Sequence, residues 1–198
     1  MGQWVERGQA CDTLPQMIPH RIAAALAALA LIAPGASHAE LAKGAVAPAF
    51  SAQGALAGKP FAFSLRKALR KGPVVLYFYP KAFTQGCTLE AHAFAEASDD
   101  FRKAGATVIG MSNDDIATLQ KFSTEACRDK FAVASATPQV IKAYDVDLLS
   151  GGKSTGLTKR TSYVIARDGQ IVLVHSDMDY RDHVNQTLAA VRALKKRS

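Results

Sequence analysis

The sequence predicts an α/β domain built on a mixed central sheet with helices on both faces. Three observations carry the prediction. Val74-Val75-Leu76-Tyr77-Phe78-Tyr79 is an unbroken β-forming run between Gly72-Pro73 and Pro80, the pattern of a strand covered on both sides. Downstream, stretches with apolar residues three and four apart alternate with short β-rich runs. Near the end, two β-rich runs flank an Asp-Gly turn, and a last helical pattern follows. The 198-residue chain is 48% hydrophobic and 21% charged, which groups it with one-domain globular proteins and excludes a disordered chain. Its three cysteines are too few for a disulfide-stapled miniprotein.

Residues 1–39 read as a secretory signal peptide to be removed. Ile22 to Ala33 is uninterrupted apolar sequence, too short for a bilayer-spanning helix, which needs ~20 residues. Arg21 precedes it, Pro34-Gly35 break it, and Ser37-His38-Ala39 puts small residues at a cleavage site. Glu6 and Asp12 offset the basic residues of this stretch, so Met17 is the expected translation start, giving a compact positive segment before the apolar run. Cleavage after Ala39 leaves residues 40–198 as the single domain, expected in the periplasm or secreted and without membrane attachment.

Residues 40–58, rich in Ala, Gly and Pro, read as an extended lead-in. Phe61 and Phe63 alternate as in a short edge strand. After the strand ending at Tyr79 comes the loop Pro80 to Gly86, then one helix through Phe94, Ala97, Phe101 and Ala104, closed by Gly105. Cys87 therefore sits in a helix's first turn. Thr107 to Met111 is a strand, and Ile116, Leu119 and Phe122 mark a helix starting near Asn113 or Asp114. Phe131 to Ala134 is a short strand, and Thr137-Pro138 opens a helix running to Tyr144. Ser162–Ala166 and Ile171–His175 form the hairpin around Asp168-Gly169, and Val184, Leu188, Val191 and Leu194 mark the final helix.

The formal net charge is +7. Lys and Arg are scattered among Asp and Glu apart from the tail Lys195-Lys196-Arg197, a balance that favours solubility over a dedicated nucleic-acid surface, so no nucleic-acid partner is expected.

The chemistry centres on Cys87. A thiol is a nucleophile only as thiolate, a minority form at its reference pKa of about 8.5. Unpaired N–H groups and the positive end of a helix dipole favour the anion. Around it, Thr84 offers a hydroxyl for a substrate oxygen, Gly86 allows close approach, and Pro80 limits the loop's freedom. On local chemistry alone two readings stand, an activated nucleophile or a buried inert cysteine.

The segment Tyr79-Pro80-Lys81-Ala82-Phe83-Thr84-Gln85-Gly86-Cys87-Thr88-Leu89-Glu90 resembles the active-site segment of the peroxiredoxins (AhpC/TSA superfamily), and most nearly their bacterioferritin-comigratory, or PrxQ-like, branch. Pro80, Thr84 and Cys87 meet the pattern P-x-x-x-T-x-x-C, with Glu90 three residues on. Ala47-Pro48-Ala49-Phe50 and Arg160-Thr161-Ser162-Tyr163-Val164-Ile165 with Asp168-Gly169 extend the likeness over roughly residues 44 to 190. The resemblance implies a thioredoxin-like fold and thiol-dependent reduction of hydrogen peroxide and organic hydroperoxides, with a thioredoxin-like or other dithiol reductant, no cofactor or metal, and a monomer or weak dimer. It implies that Cys87 attacks peroxide and becomes sulfenic acid, that the Thr84 hydroxyl and the Cys87 N–H align the peroxide, and that Arg160 stabilises thiolate and leaving oxygen. Pro80 would shield the site, and Glu90 would brace the arginine or the loop.

Two residues depart from the branch. Gln85 stands where proline is usual, and His92 where many members carry a resolving cysteine. Some members resolve instead from the helix after the next strand, which points to Cys127 as the resolving cysteine near the end of that helix. Its azimuth returns almost to that of Ile116, on the apolar stripe, so it is at least partly buried and its pairing with Cys87 needs local unwinding. A core cysteine with a one-cysteine mechanism is the alternative. His92, five residues from Cys87 on a helix, is a surface residue and no metal ligand. His175 and His183 read as strand-end and helix-start residues. A thioredoxin-like thiol-disulfide oxidoreductase would want Cys-x-x-Cys, but residue 90 is Glu. A thioredoxin-like copper-binding protein would want Cys-x-x-x-Cys, but residue 91 is Ala.

Overall fold

The computed structural model describes residues 41–196; the signal-peptide reading of residues 1–39 and the Met17 start lie outside them. The run read as a doubly covered strand is β3, Val74–Phe78, and all five of its side chains are buried. It pairs in parallel with β4 (Thr107–Ser112), antiparallel with β8 (Thr161–Ile165), and both neighbours are themselves flanked. β5 (Ala132–Ser135) follows in parallel with β4, β1 (Ser51–Leu56) and β2 (Lys59–Ser64) continue one edge, and β9 (Ile171–Ser176) closes the other. The order is β2-β1-β5-β4-β3-β8-β9.

Because successive side chains of a strand point to opposite faces, β3 divides the core in two. Val75 and Tyr77 face a cluster with Phe94, Phe101, Leu119, Phe122, Leu188 and Val191. These come from α2 (Gln85–Glu96), α3 (Ser98–Lys103), α4 (Ile116–Glu125) and α6 (His183–Lys195). Val74, Leu76 and Phe78 face the other, with Leu65 from α1 (Leu65–Leu69), Val140 and Ile141 from α5 (Pro138–Ala143), and the α5 C-cap residue Tyr144. Helices thus cover both faces, as the alternating pattern predicts.

Four expectations are corrected. The lead-in holds β1, whose small and polar residues carry no strand signature; its pairing with β2 and β5 supplies the order that side-chain propensity does not. The helix expected through Ala104 is interrupted at Ala97: Ser98, Asp99 and Asp100 suit the start of a new helix better than the middle of an old one. The helix after β4 begins at Ile116, with the Asp115 carboxylate accepting from the Thr118 N–H at 2.7 Å. Residues 147–158, assigned no element from sequence, form the hairpin β6 (Asp147–Ser150) and β7 (Lys153–Thr158) around Gly151-Gly152. Both glycines have positive φ, 56° and 76°, and this Gly-Gly turn was the available signal.

The β1–β2 turn uses Ala57 and Gly58, with φ of 49° and 72°. A non-glycine residue in the left-handed region costs ~1–2 kcal/mol, while glycine's larger unfolded-state entropy returns part of that. Ala57→Gly is therefore expected to raise stability by about 0.5–1 kcal/mol, read as a higher melting temperature; an unchanged or lower one contradicts the strained-turn account.

Candidate active site

β3 delivers the chain to the loop that opens α2. The Tyr79 N–H donates to the Met111 carbonyl at 2.9 Å and the Ala82 N–H to Asp114 Oδ2 at 2.8 Å, which ties the loop to the end of β4. The β6–β7 hairpin holds the same segment from the other side, Thr158 Oγ1 donating to the Tyr79 carbonyl at 2.7 Å. Phe83 is left with φ of 63° and a ring packed edge-on to Phe122, centroids 5.2 Å apart. Thr84 occupies the N-cap of α2 but does not cap it with its side chain. Its hydroxyl donates back to the Lys81 carbonyl at 3.0 Å, which turns the oxygen lone pairs away from that carbonyl.

Cys87 lies in the first turn of α2, 2% exposed, three residues after the N-cap Thr84, and Pro80 at the start of the loop is half-buried. Arg160, between β7 and β8, reaches it across the fold. Each guanidinium nitrogen is engaged: Nη2 donates to Cys87 Sγ at 3.5 Å, Nη1 pairs with Glu90 Oε2, and Nε donates to the Met178 carbonyl at 3.0 Å. Gly86 makes room, since a Cβ there would stand 3.3 Å from Arg160 Nη2. The structure thus brings Cys87, Glu90 and Arg160 together, with Glu90 bonded to the arginine, while Thr84 stands at the N-cap of the same helix and Pro80 at the head of the loop before it.

The pair is buried, Arg160 4% and Glu90 0% exposed. Burial drives the Glu90 carboxyl up, to about 8, against the opposing pull of Arg160. For Arg160 the burial penalty is outweighed by Glu90 and Cys87, which hold it above its ordinary value and permanently charged. A guanidinium fixed beside sulfur in a dry site stabilises a thiolate and any negative charge passing to a leaving oxygen.

Cys127 is buried near the end of α4, as expected, but lies just past the helix and not on its stripe. α4 ends at Glu125, and Cys127 follows the C-cap residue Ala126, its N–H donating to the Phe122 carbonyl at 3.0 Å. Arg128 and Asp129 then turn the chain with φ of 51° and 59°. The thiol is fully buried in the cluster that also takes Cys87, and burial pushes it well up. Both cysteines are free thiols.

Sequence reasoning missed His183. Rather than a simple helix-start residue, it is fully buried behind Glu90, Nδ1 2.8 Å from Ser162 Oγ and Nε2 2.9 Å from the Asp177 carbonyl. Its position before an apolar helical stripe was the only sequence signal, and that signal says nothing of Glu90. His92 is half-buried on α2.

A family model described as the AhpC/TSA family matches residues 44–174. Chloroplastic peroxiredoxin Q of Sedum lineare is 31% identical over 158 residues, 79% of this chain and 81% of that protein. A putative peroxiredoxin of Mycobacterium tuberculosis is 33% identical over 128 residues, 64% of this chain and 82% of that protein. Among solved structures, peroxidoxin BcpB from M. tuberculosis superposes with a TM-score of 0.69 at 31% identity, over 77% of this chain and 97% of that one. Peroxiredoxin Q of Xanthomonas campestris gives 0.63 at 28% identity, over 72% and 90%.

Proposed function

Because the chain belongs to the AhpC/TSA family, in its peroxiredoxin Q and bacterioferritin-comigratory branch, and is a thiol-dependent peroxidase of thioredoxin-like fold, we propose that Cys87 is its peroxidatic residue. The observation that carries this assignment is the Arg160 guanidinium on Cys87 Sγ in the first turn of α2. Thiolate sulfur attacks one peroxide oxygen, an S–O bond forms as the O–O bond breaks, and the released oxygen takes a proton to leave as water or alcohol. Arg160 follows the negative charge from sulfur to the leaving oxygen. Thr84 Oγ1 and the backbone N–H groups at the start of α2 align the substrate, and Pro80 screens the sulfur from bulk water.

A dithiol reductant of thioredoxin type returns the enzyme to its starting state, as in the family. Cys127 is the proposed resolving partner: its thiol condenses with the Cys87 sulfenic acid, forming the disulfide and releasing water. Both thiols border one apolar cluster, and the pairing requires the first turn of α2 to unwind so that the two Cα atoms come within ~7 Å. Intact-mass measurement after one equivalent of peroxide is expected to show a monomer lighter by two hydrogens in the wild type. In Cys127→Ser the product is expected to be the sulfenic acid, one oxygen heavier. Retention of the two-hydrogen loss in that variant would assign resolution elsewhere.

Export to the periplasm, and action there as a monomer or weak dimer, complete the proposal. Its support is the apolar run Ile22 to Ala33 between Arg21 and Pro34-Gly35, with small residues at 37 and 39.

A further inference from the structure

We propose that Glu90 and His183 form a buried dyad sharing one proton, which keeps the site electrically neutral while Cys87 is a thiolate, with His183 the positioning residue; this rests on Cys87 being the peroxidatic residue. The geometry starts from His183. The Asp177 carbonyl can only accept, so Nε2 carries a hydrogen, and a neutral ring leaves Nδ1 as acceptor for the Ser162 hydroxyl. Burial lowers this histidine to about 4, consistent with a neutral ring.

Glu90 Oε1 lies 3.7 Å from the same Nδ1, both side chains fully buried, and takes part in no hydrogen bond with any described residue. Oε2 is committed to Arg160. An ionised Glu90 would set the lone pairs of Oε1 against the lone pair of Nδ1. A proton on Oε1 removes the repulsion, and it reaches Nδ1 when the Ser162 hydroxyl hydrogen turns away from the ring and the 3.7 Å gap closes to hydrogen-bond distance, which gives the orphaned oxygen a partner.

The charges then balance. With Cys87 as thiol, Arg160 positive and Glu90 negative, the cluster is neutral. Ionising Cys87 breaks its S–H bond. If that proton, or one from solvent, is held by the dyad, the sulfur is negative, Arg160 positive and the dyad neutral. Without it, two buried anions compete for one guanidinium. Other titratable groups face the dyad as well. His175 from β9 stands edge-on to His183 with centroids 4.4 Å apart, Tyr77 comes from β3, and Asp177 and Asp179 lie in the turn before α6.

The consequence is an alkaline limit on peroxide reduction. Once the dyad loses its proton, Glu90 draws Arg160 from Cys87 and from the leaving oxygen. The apparent pKa belongs to the pair and not to either residue.

The test is the second-order rate constant of the pre-reduced enzyme with hydrogen peroxide and an alkyl hydroperoxide, from about pH 5 to about pH 10. The wild type is expected to fall along a one-proton alkaline limb, approaching about tenfold per pH unit. Glu90→Gln, which cannot titrate, is expected to lose that limb. His183→Leu, which removes the acceptor for the Glu90 proton, is expected to move it to lower pH. Infrared difference spectra of the wild type give a readout that needs no variant to fold: a buried carboxylic-acid C=O band that disappears across the same pH range. A flat wild-type profile, a limb unchanged in both variants, or absence of the band overturns the dyad. A wild type that consumes no hydroperoxide at any pH overturns the assignment of Cys87 instead.

Discussion

Cys87→Ser is expected to abolish hydroperoxide consumption, lowering the rate constant by more than about 10⁴-fold, while the folded state survives. Serine is close to cysteine in size, and Arg160 Nη2 can still donate to its oxygen as it does to sulfur. What is lost is the nucleophile, because a hydroxyl is not ionised near neutral pH and oxygen is the poorer attacker of an O–O bond. Cys127 does not substitute for it. That thiol is fully buried, burial pushes its pKa well up, and no guanidinium is bonded to it among the described residues. Peroxide-consumption assays on the variant, with circular dichroism to verify folding, read the effect directly. Turnover at a normal rate would remove Cys87 from the mechanism.

The second large effect is at Arg160. Arg160→Met is expected to cost about 10²–10³-fold in the rate constant, the usual loss when one donor to a developing anion is removed. Arg160→Lys recovers little, since a single ammonium cannot bond Cys87, Glu90 and the Met178 carbonyl together as the planar fork does. Stability also changes in Arg160→Met, and with a pH dependence of defined sign. Glu90 is raised in the fold, to about 8 from an ordinary 4.5. Between those values the folded state holds a proton that the unfolded chain has released, so stability falls as pH rises. Without the guanidinium the carboxyl is raised further, and the cost of ionising it inside the fold reaches about 3–5 kcal/mol. Denaturant titrations of Arg160→Met should therefore show a protein distinctly weaker at alkaline than at mildly acidic pH. Equal stability at both would contradict the buried-pair account.

The parts of the fold legible in the sequence are those whose order follows from local chemistry. β3 is readable because a central strand must be apolar on both faces, and α5 because Thr137 and Pro138 mark its start: the Thr137 hydroxyl accepts from the Val140 N–H at 3.4 Å. Cys87 was legible for the same reason, since a loop after a strand and the first turn of a helix are close in sequence. β1 and β7 were not. Gln53, Gly54, Ser154 and Gly156 have no strong strand preference, and partners elsewhere in the chain make them strands. The turn of Ala57 and Gly58, for example, is held by the Gly58 N–H donating to Ser123 Oγ at 2.9 Å and by Gln120 Nε2 donating to the Gly58 carbonyl at 2.9 Å. No local pattern encodes those contacts.

Within the site, the motif names Arg160 and Glu90, but not the His183 that lies behind them. Glu90 projects from α2 and His183 opens α6, so their approach to 3.7 Å exists only once both helices lie on one face of the sheet. The same limit applies to Cys127. Helical periodicity carries its azimuth through to residue 127, yet the helix stops at Glu125 and the left-handed residues Arg128 and Asp129 redirect the chain.

The most direct measurement is peptide mass mapping of the reduced protein after one equivalent of hydroperoxide, in the presence of a sulfenic-acid trap and with Cys127→Ser in parallel. The expected result is a trapped adduct on the peptide carrying Cys87 in the variant, replaced in the wild type by a peptide pair joined through Cys87 and Cys127. Hydroperoxide consumed while Cys87 remains an unmodified thiol would contradict the account at its root.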